Sequence, residues 1–254
     1  MANLRKPFQG ITNIIRFNWH FYILSIILIL LWITIGIIFD LGEFKSIFWI
    51  LFSLGILANA ASLLASWYIY DASNLYSMDW LGDLGNENSK LSQRILNIHA
   101  GFDETSDHIQ QKFVNSKLQV FDFYDGRKHT EISIERARKA YPAHYNTIKI
   151  NTNHIPLQDH SVDKIFLILS AHEIRNPTER INFFKECKRI LKSNGSIIVL
   201  EHLRDIPNFL VYTIGFLHFH SHATWLNTFQ ESGLILQKEK KVTPYLSYFH
   251  LITK

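Results

Sequence analysis

Two patterns of apolar and polar positions divide the chain. Residues 21–39 (FYILSIILILLWITIGIIF) run nineteen positions without a charge, and residues 47–67 (IFWILFSLGILANAASLLASW) run twenty-one more. Each is long enough to cross roughly 30 Å of hydrocarbon as a helix. From about residue 89 onward, short apolar runs alternate with amphipathic stretches. RILNIHA (94–100) precedes a helical SDHIQQKF, and LQVFDFY (118–124) precedes SIERARKAY. NTIKIN (146–151) leads to DKIFLILS (163–170), then a helix over 179–192, then SIIVLEH (196–202). Strand and helix in regular succession predict an α/β domain, a parallel sheet with helices on both faces. The final runs, LILQKEKK and TPYLSYFHLI, read as two strands that close the sheet antiparallel. The helix over 179–192 is expected to bury Ile181, Phe184, Cys187, Ile190 and Leu191 and to stop at Asn194-Gly195.

The resulting organisation is a basic N-terminal segment (1–20), a transmembrane helical hairpin (21–67), a juxtamembrane connector (68–88) and a domain from 89 to 254. A second apolar run follows the first within eight residues, which argues against a cleaved signal peptide. The loop DLGEFKS permits only a tight hairpin, so both ends of the chain lie on one side. Arg5, Lys6 and Arg16 precede the first run with no acid among them, whereas the loop holds Asp40 and Glu43 against Lys45. The positive-inside bias then puts the protein in the inner membrane as a multi-pass protein with its large domain in the cytoplasm. Phe8, Ile11, Ile14, Ile15 and Phe17 suit either a helix lying in the interface or an extension of the first span. Asn59 and Ser62, among Ala58, Ala60 and Ala61, suit close packing of the two spans. Tyr68, Tyr70, Tyr76 and Trp80 are placed as an interfacial aromatic belt.

Composition narrows the function classes. A net charge of +4 and a pI near 9.0 are too slight a basic excess for a nucleic-acid binder. At 47% hydrophobic and 19% charged residues the chain is not intrinsically disordered. The single cysteine, Cys187, excludes an intramolecular disulfide, and its place on the helix face suits a core residue rather than a nucleophile.

The runs IPLQDHSVDKIFLILSAHEI and ERINFFKECKRILKSNGSIIVLEH carry a resemblance. With Ile155, Pro156, Leu157, Asp159, Ser161, Val162 and Asp163 in the turn and Arg189 to Gly195 at the helix end, this half resembles a class I S-adenosylmethionine-dependent methyltransferase. The resemblance implies a Rossmann-like seven-stranded sheet and S-adenosylmethionine as cofactor. It aligns RILNIHAGFDETS with the first strand and cofactor loop, so that Asn97, His99, Gly101 and Asp103 stand where the family has an acid and three glycines. Only the middle glycine is kept. Asp122, with Asp125 as second choice, falls where the family holds the ribose hydroxyls, and Asn153 and His154 fall at the adenine edge.

In such sheets ligands lie beyond the carboxyl ends of the strands. The fourth strand runs into Ser170-Ala171-His172-Glu173-Ile174-Arg175 and the fifth into Glu201-His202-Leu203-Arg204. His172 or His202 is the candidate general base, with Glu173 and Arg204 in the catalytic set, and Arg175 or Arg204 the anchor for an anionic group. GFLHFHSHATW puts His218, His220 and His222 at alternate positions, one face of a strand. His218 and His220, with Glu201 and Trp225, are candidate substrate contacts, and no metal ligand set is assigned. Phe209, Tyr212, Phe216, Phe219 and Trp225 crowd a segment that the resemblance implies is a substrate lid; aromatic walls suit an apolar acceptor, and aromatic packing of a long insertion gives the same pattern.

The expected protein is thus a membrane-anchored methyltransferase acting on a hydrophobic small molecule such as a lipid or quinone, with the bilayer as its other partner, no nucleic acid, and room for a homo-oligomer. The alternatives are a cofactor-free binding or scaffold module and a metal-dependent enzyme on the same fold.

Overall fold

The computed structural model describes residues 5–86, 92–128 and 131–253, so the expected boundary near residue 89 lies outside the described residues. Helix α1 (Gln9–Phe17) is separated from α2 (Trp19–Ile38) by Asn18 alone, and α3 (Lys45–Trp67) returns after a short 3-10 turn at Gly42–Phe44. Trp19–Ile38 and the longer run Gly42–Ala72 are long and apolar enough to cross a membrane, and their most apolar stretches have no buried residue. Between them Ser25 Oγ donates to Asn59 Oδ1 at 2.9 Å, a polar tie of the kind that joins apolar helices.

Helix α1 is a separate helix rather than an extension of the first span. The helix packs on the α/β domain, burying Gly10, Asn13 and Phe17, and the Phe17 ring meets Phe102 and Tyr141 edge-on. Of the four belt residues, Tyr68 is exposed, whereas Tyr70 and Tyr76 pack against the core and Trp80 is buried in it. After α3 the chain makes one π turn (Tyr68–Ala72), and Leu75, Met78, Trp80 and Leu81 then enter a core cluster with Ile95, Phe166, Ile198 and Tyr248. Trp80 Nε1 donates to the Leu75 carbonyl at 2.9 Å, so its polar atom is satisfied inside the protein.

After the short α4 (Asp83–Asn86), the strands are β1 (Arg94–His99), β2 (Lys117–Asp122), β3 (Thr147–Lys149), β4 (Val162–Ile168), β5 (Leu191–His202), β6 (Ile235–Thr243) and β7 (Leu246–Ile252). Their order is β3-β2-β1-β4-β5-β7-β6. The first five are parallel and β7 runs antiparallel between β5 and β6, as the sequence pattern predicts. Helices α5 (Ser106–Lys112), α6 (Ile132–Ala140), α7 (Pro177–Ile190), α8 (Ile206–Tyr212) and α9 (His222–Glu231) complete the domain. The near-continuous apolar runs of β1 and β4 follow from burial on both sheet faces.

Helix α7 starts with the Asn176 side chain accepting from the Glu179 N–H and with Pro177 in its first turn. It buries Arg180, Phe183, Phe184, Cys187 and Ile190, whereas Ile181 is only half-buried. It also stops earlier than Asn194-Gly195 suggests. Leu191 turns extended (φ −75°, ψ 133°) and pairs with Val162, so residues 191–195 lengthen β5.

Candidate active site

The register of β4 on β5, Ile168 opposite Leu200, carries the two chain ends to one point. β4 leaves the sheet through Leu169 (φ 51°) into a 3-10 turn, Ala171–Glu173, and β5 ends at Glu201 and His202. Glu201 is fully buried. Its Oε1 accepts from the backbone N–H groups of Ser170 (3.1 Å) and His172 (3.2 Å), and its Oε2 lies 2.6 Å from His172 Nδ1. The other ring nitrogen, Nε2, lies 3.2 Å from Glu173 Oε1, which is 3.3 Å from His218 Nε2. His218 Nδ1 is 2.6 Å from Glu131 Oε1. Three carboxylates and two imidazoles thus form one chain. Burial alone disfavours a charged His172, but Glu201 and Glu173 overcome it and push its pKa up to about 10. Burial raises Glu173, yet His172 and His218 outweigh it and hold its carboxyl well below the usual range.

This chain forms the floor of a cavity of about 230 Å³. Ile14 and Phe17 of α1, Phe102, Ile134, Leu169 and Phe219 supply apolar wall, and Asn13 and Glu104 add polar atoms. The N-terminal helix is therefore a wall of the site. Its own N-cap, Phe8, makes no side-chain cap bond. Instead Asp71, at the end of the π turn, accepts from the N–H groups of Gly10 (2.7 Å) and Ile11 (2.8 Å). A Cβ at Gly10 would fall 2.3 Å from Tyr70 Cβ, so this approach requires glycine. Arg5 pairs with Glu104 at 2.6 Å and lies 3.7 Å over the Tyr76 ring, and Tyr141 donates to Asn13 Oδ1 at 2.9 Å.

The loop after β1 is built differently from a triple-glycine loop. Gly101 takes φ +93°, open to glycine, and its N–H donates to His99 Nδ1 at 3.1 Å. Asp103 accepts from the N–H groups of Thr105 and Ser106 (2.9 and 3.0 Å), and Asn97 Nδ2 donates to the Thr105 and Ser106 hydroxyls (3.0 and 2.8 Å). These polar side chains tie the loop to the start of α5. Asp122 stands at the end of β2, buried, with Oδ1 accepting from the Tyr124 N–H (2.8 Å) and Oδ2 from Arg138 Nη1 (2.6 Å). Arg138 also reaches the Gly101 carbonyl (3.2 Å) and lies over the Tyr124 ring. Burial lowers the pKa of His99, whose Nε2 has no hydrogen-bond partner among the described residues.

Of the other expected site residues, His202 and His218 line the cavity and the rest stand apart from it. His202 has both ring nitrogens engaged. Its Nδ1 faces Asn208 Oδ1 (3.0 Å), its Nε2 faces the Tyr70 hydroxyl (3.1 Å), and burial pushes its pKa down to about 4. Arg204 donates to the carbonyls of Phe219 and Leu217 and so fixes the segment before α9, and Arg175 contacts the carbonyl and ring of His218 from the exposed side. The alternating histidines do not share a face. His218 ends a 3-10 turn, His220 forms a bridge to Leu203 and meets Arg180 (3.1 Å), and His222 opens α9 against Glu239 (3.0 Å). Trp225 is fully buried, stacked on Phe229, and belongs to the core rather than to a lid. Asn153 is exposed, His154 lies 3.5 Å from Glu186, and Asp125 pairs with Arg127 in its own turn. Sequence reasoning missed Glu131, Asp71 and Arg138, which reach the site from helices and turns away from the strand ends and belong to no motif, and Glu104, which lies in the loop after β1.

The comparisons agree with this architecture. Residues 126–199 match a family described as a methyltransferase domain. An S-adenosylmethionine-dependent methyltransferase from Aquifex aeolicus superposes with a TM-score of 0.50 at 19% identity, covering 71% of this chain and 93% of that one. A Pyrococcus horikoshii protein gives 0.51 at 16% identity, covering 72% and 92%. No curated protein matches the chain. The match over residues 126–199 marks a methyltransferase domain and the shared fold agrees with it, and together they support S-adenosylmethionine as the cofactor. The residues at the strand ends fit it in part. Gly101 supplies the turn and Asp122 the buried acid, but Arg138 lies across both and must turn aside before a ribose can meet the carboxylate.

Proposed function

We propose that this methyltransferase is anchored in the membrane and methylates a hydrophobic small molecule, such as a lipid or quinone, that enters the cavity from the bilayer. The observation that carries this reading is the shared wall. α1, which lines the cavity, passes through one residue into α2, so the site lies where the apolar hairpin meets the domain. A second apolar surface adjoins α3. Ile206, Leu210 and Ile214 in and after α8 are 74%, 64% and 79% exposed, and α8 packs beside α3. Apolar patches of this kind suit contact with lipid. The basic residues before α2 support a cytoplasmic position for the domain.

When bound, the cofactor supplies an electrophilic methyl group. Asp122 and the Gly101 turn are the residues that would hold its ribose and methionine parts. The chain's own contribution is positioning and exclusion of water. The apolar wall from α1, Phe102 and Phe219 holds the acceptor's body, and the polar floor at His172 and Glu173 faces its polar end.

The test is methyl transfer from radiolabelled S-adenosylmethionine by the full-length protein in vesicles of total membrane lipid, followed by organic extraction. Saturable label in the organic phase supports the proposal. Label confined to water-soluble acceptors refutes the hydrophobic substrate.

A further inference from the structure

We propose that His172, Glu173 and His218 bind a first-row divalent transition-metal ion at the floor of the cavity. His172 Nε2, Glu173 Oε1 and a ring nitrogen of His218 lie within 4.8 Å of one another. The measured gaps from Glu173 Oε1, 3.2 Å to His172 Nε2 and 3.3 Å to His218 Nε2, match the edge of a coordination polyhedron. Ligand bonds of about 2.0–2.2 Å at tetrahedral or octahedral angles put neighbouring donor atoms roughly 3.0–3.5 Å apart. Two imidazoles and one carboxylate on one side leave open positions toward the cavity, the arrangement of zinc and non-haem iron sites that accept an exogenous ligand.

The second observation is the shell behind the donors. Metal-ligating histidines are commonly oriented by a carboxylate on their other ring nitrogen. Both histidines have one. Glu201 Oε2 stands 2.6 Å from His172 Nδ1, and Glu131 Oε1 stands 2.6 Å from His218 Nδ1. Glu201 is itself fixed by two backbone N–H groups, so the His172 ring has one orientation, with Nε2 toward Glu173. Three carboxylates around two imidazoles form an anionic pocket. Arg175 Nη2 lies 2.7 Å from His218 Nε2 on the exposed side and turns to solvent when the ion takes that nitrogen. An ion here faces Ile14, Phe17 and Phe102 across the cavity and offers its open positions to an oxygen donor on an otherwise apolar ligand. The site stands whether or not the acceptor is a lipid, because it rests only on these side chains.

The test is metal binding by chelator-treated full-length protein in detergent, without S-adenosylmethionine. Co(II) absorption and Zn(II) calorimetry are the readouts. One equivalent binds saturably in the wild type, and His218→Ala and Glu173→Gln each weaken binding by at least ~100-fold. Glu201→Gln keeps the stoichiometry and weakens binding ~10–100-fold. His222→Ala, outside the cluster and paired with Glu239, leaves binding unchanged. His218 lies at the half-buried edge of the site, so its variant keeps the test valid if His172→Ala does not fold. Absence of saturable binding by folded wild type, or wild-type binding by folded His218→Ala and Glu173→Gln, overturns the proposal.

Discussion

Replacing Asp71 with alanine should loosen the wall of the active site without touching the cavity itself. Asp71 makes two charge-assisted hydrogen bonds, 2.7 and 2.8 Å long, to the first N–H groups of α1, and no side chain at the helix's own cap does so. The carboxylate also faces the positive end of the helix dipole. Loss of an N-cap of this kind costs about 1–2 kcal/mol. A cost of that size corresponds to a roughly 5–30-fold rise in the open population of α1. The opening stays local, because Arg136 Nη1 still donates to the Phe17 carbonyl at 2.6 Å and Phe17 still packs on Phe102 and Tyr141. Hydrogen exchange read peptide by peptide is the assay. Amides of residues 9–17 should exchange faster by that factor in Asp71→Ala, while those of β4 and β5 keep their wild-type rates. Unchanged exchange in α1 would refute the view that Asp71 holds the helix down, and equal acceleration throughout the domain would show a global rather than a local effect.

Other predictions follow from the same geometry. Arg138→Ala, by freeing the Asp122 carboxylate, should tighten S-adenosylmethionine binding by about 5–30-fold, an energy of about 1–2 kcal/mol for one charge-assisted bond; weakening comparable to that of Asp122→Ala would make Arg138 a cofactor contact instead. Trp225→Ala should destabilise the domain by about 3–5 kcal/mol in denaturant titration, as core truncations do, whereas a lid residue would change acceptor use at nearly constant stability. Burial holds His202 at about 4, and burial with Arg180 beside it holds His220 at about 3. Unfolded histidine titrates near pH ~6.5, so between these values the unfolded state binds more protons and stability falls as pH drops from about 6.5 toward about 4. Thermal melts from about pH 7.5 to about pH 5 check this, and a melting temperature independent of pH would contradict it.

Much of the domain was legible because its strands are buried on both faces. β4 and β5 carry the apolar runs 165–168 and 197–200, and the Pro156 turn and the end of α7 carry a recognisable pattern. The convergence of His172, Glu173 and Glu201 followed from strand order alone. What failed was anything set by long-range contact. Trp80 and Trp225 are aromatic in any pattern, and only packing against Tyr248 or Phe229 shows them to be core. His202 looked like a base until Asn208 and Tyr70 were found on its two nitrogens. Glu131, Asp71 and Arg138 come from surface-like polar stretches, where a single sequence gives no sign that the side chain turns inward. The stop at Asn194-Gly195 was misread because extended pairing of Leu191 with β4 outcompeted another turn of helix.

The most direct measurement is isothermal titration of the detergent-solubilised full-length protein with S-adenosylmethionine and with its demethylated product, S-adenosylhomocysteine. Saturable one-to-one binding of both, weakened by Asp122→Ala, is the predicted result. Absence of binding by folded protein, in the wild type and in Arg138→Ala alike, would contradict the account and favour a binding or scaffold module that keeps the fold without the cofactor.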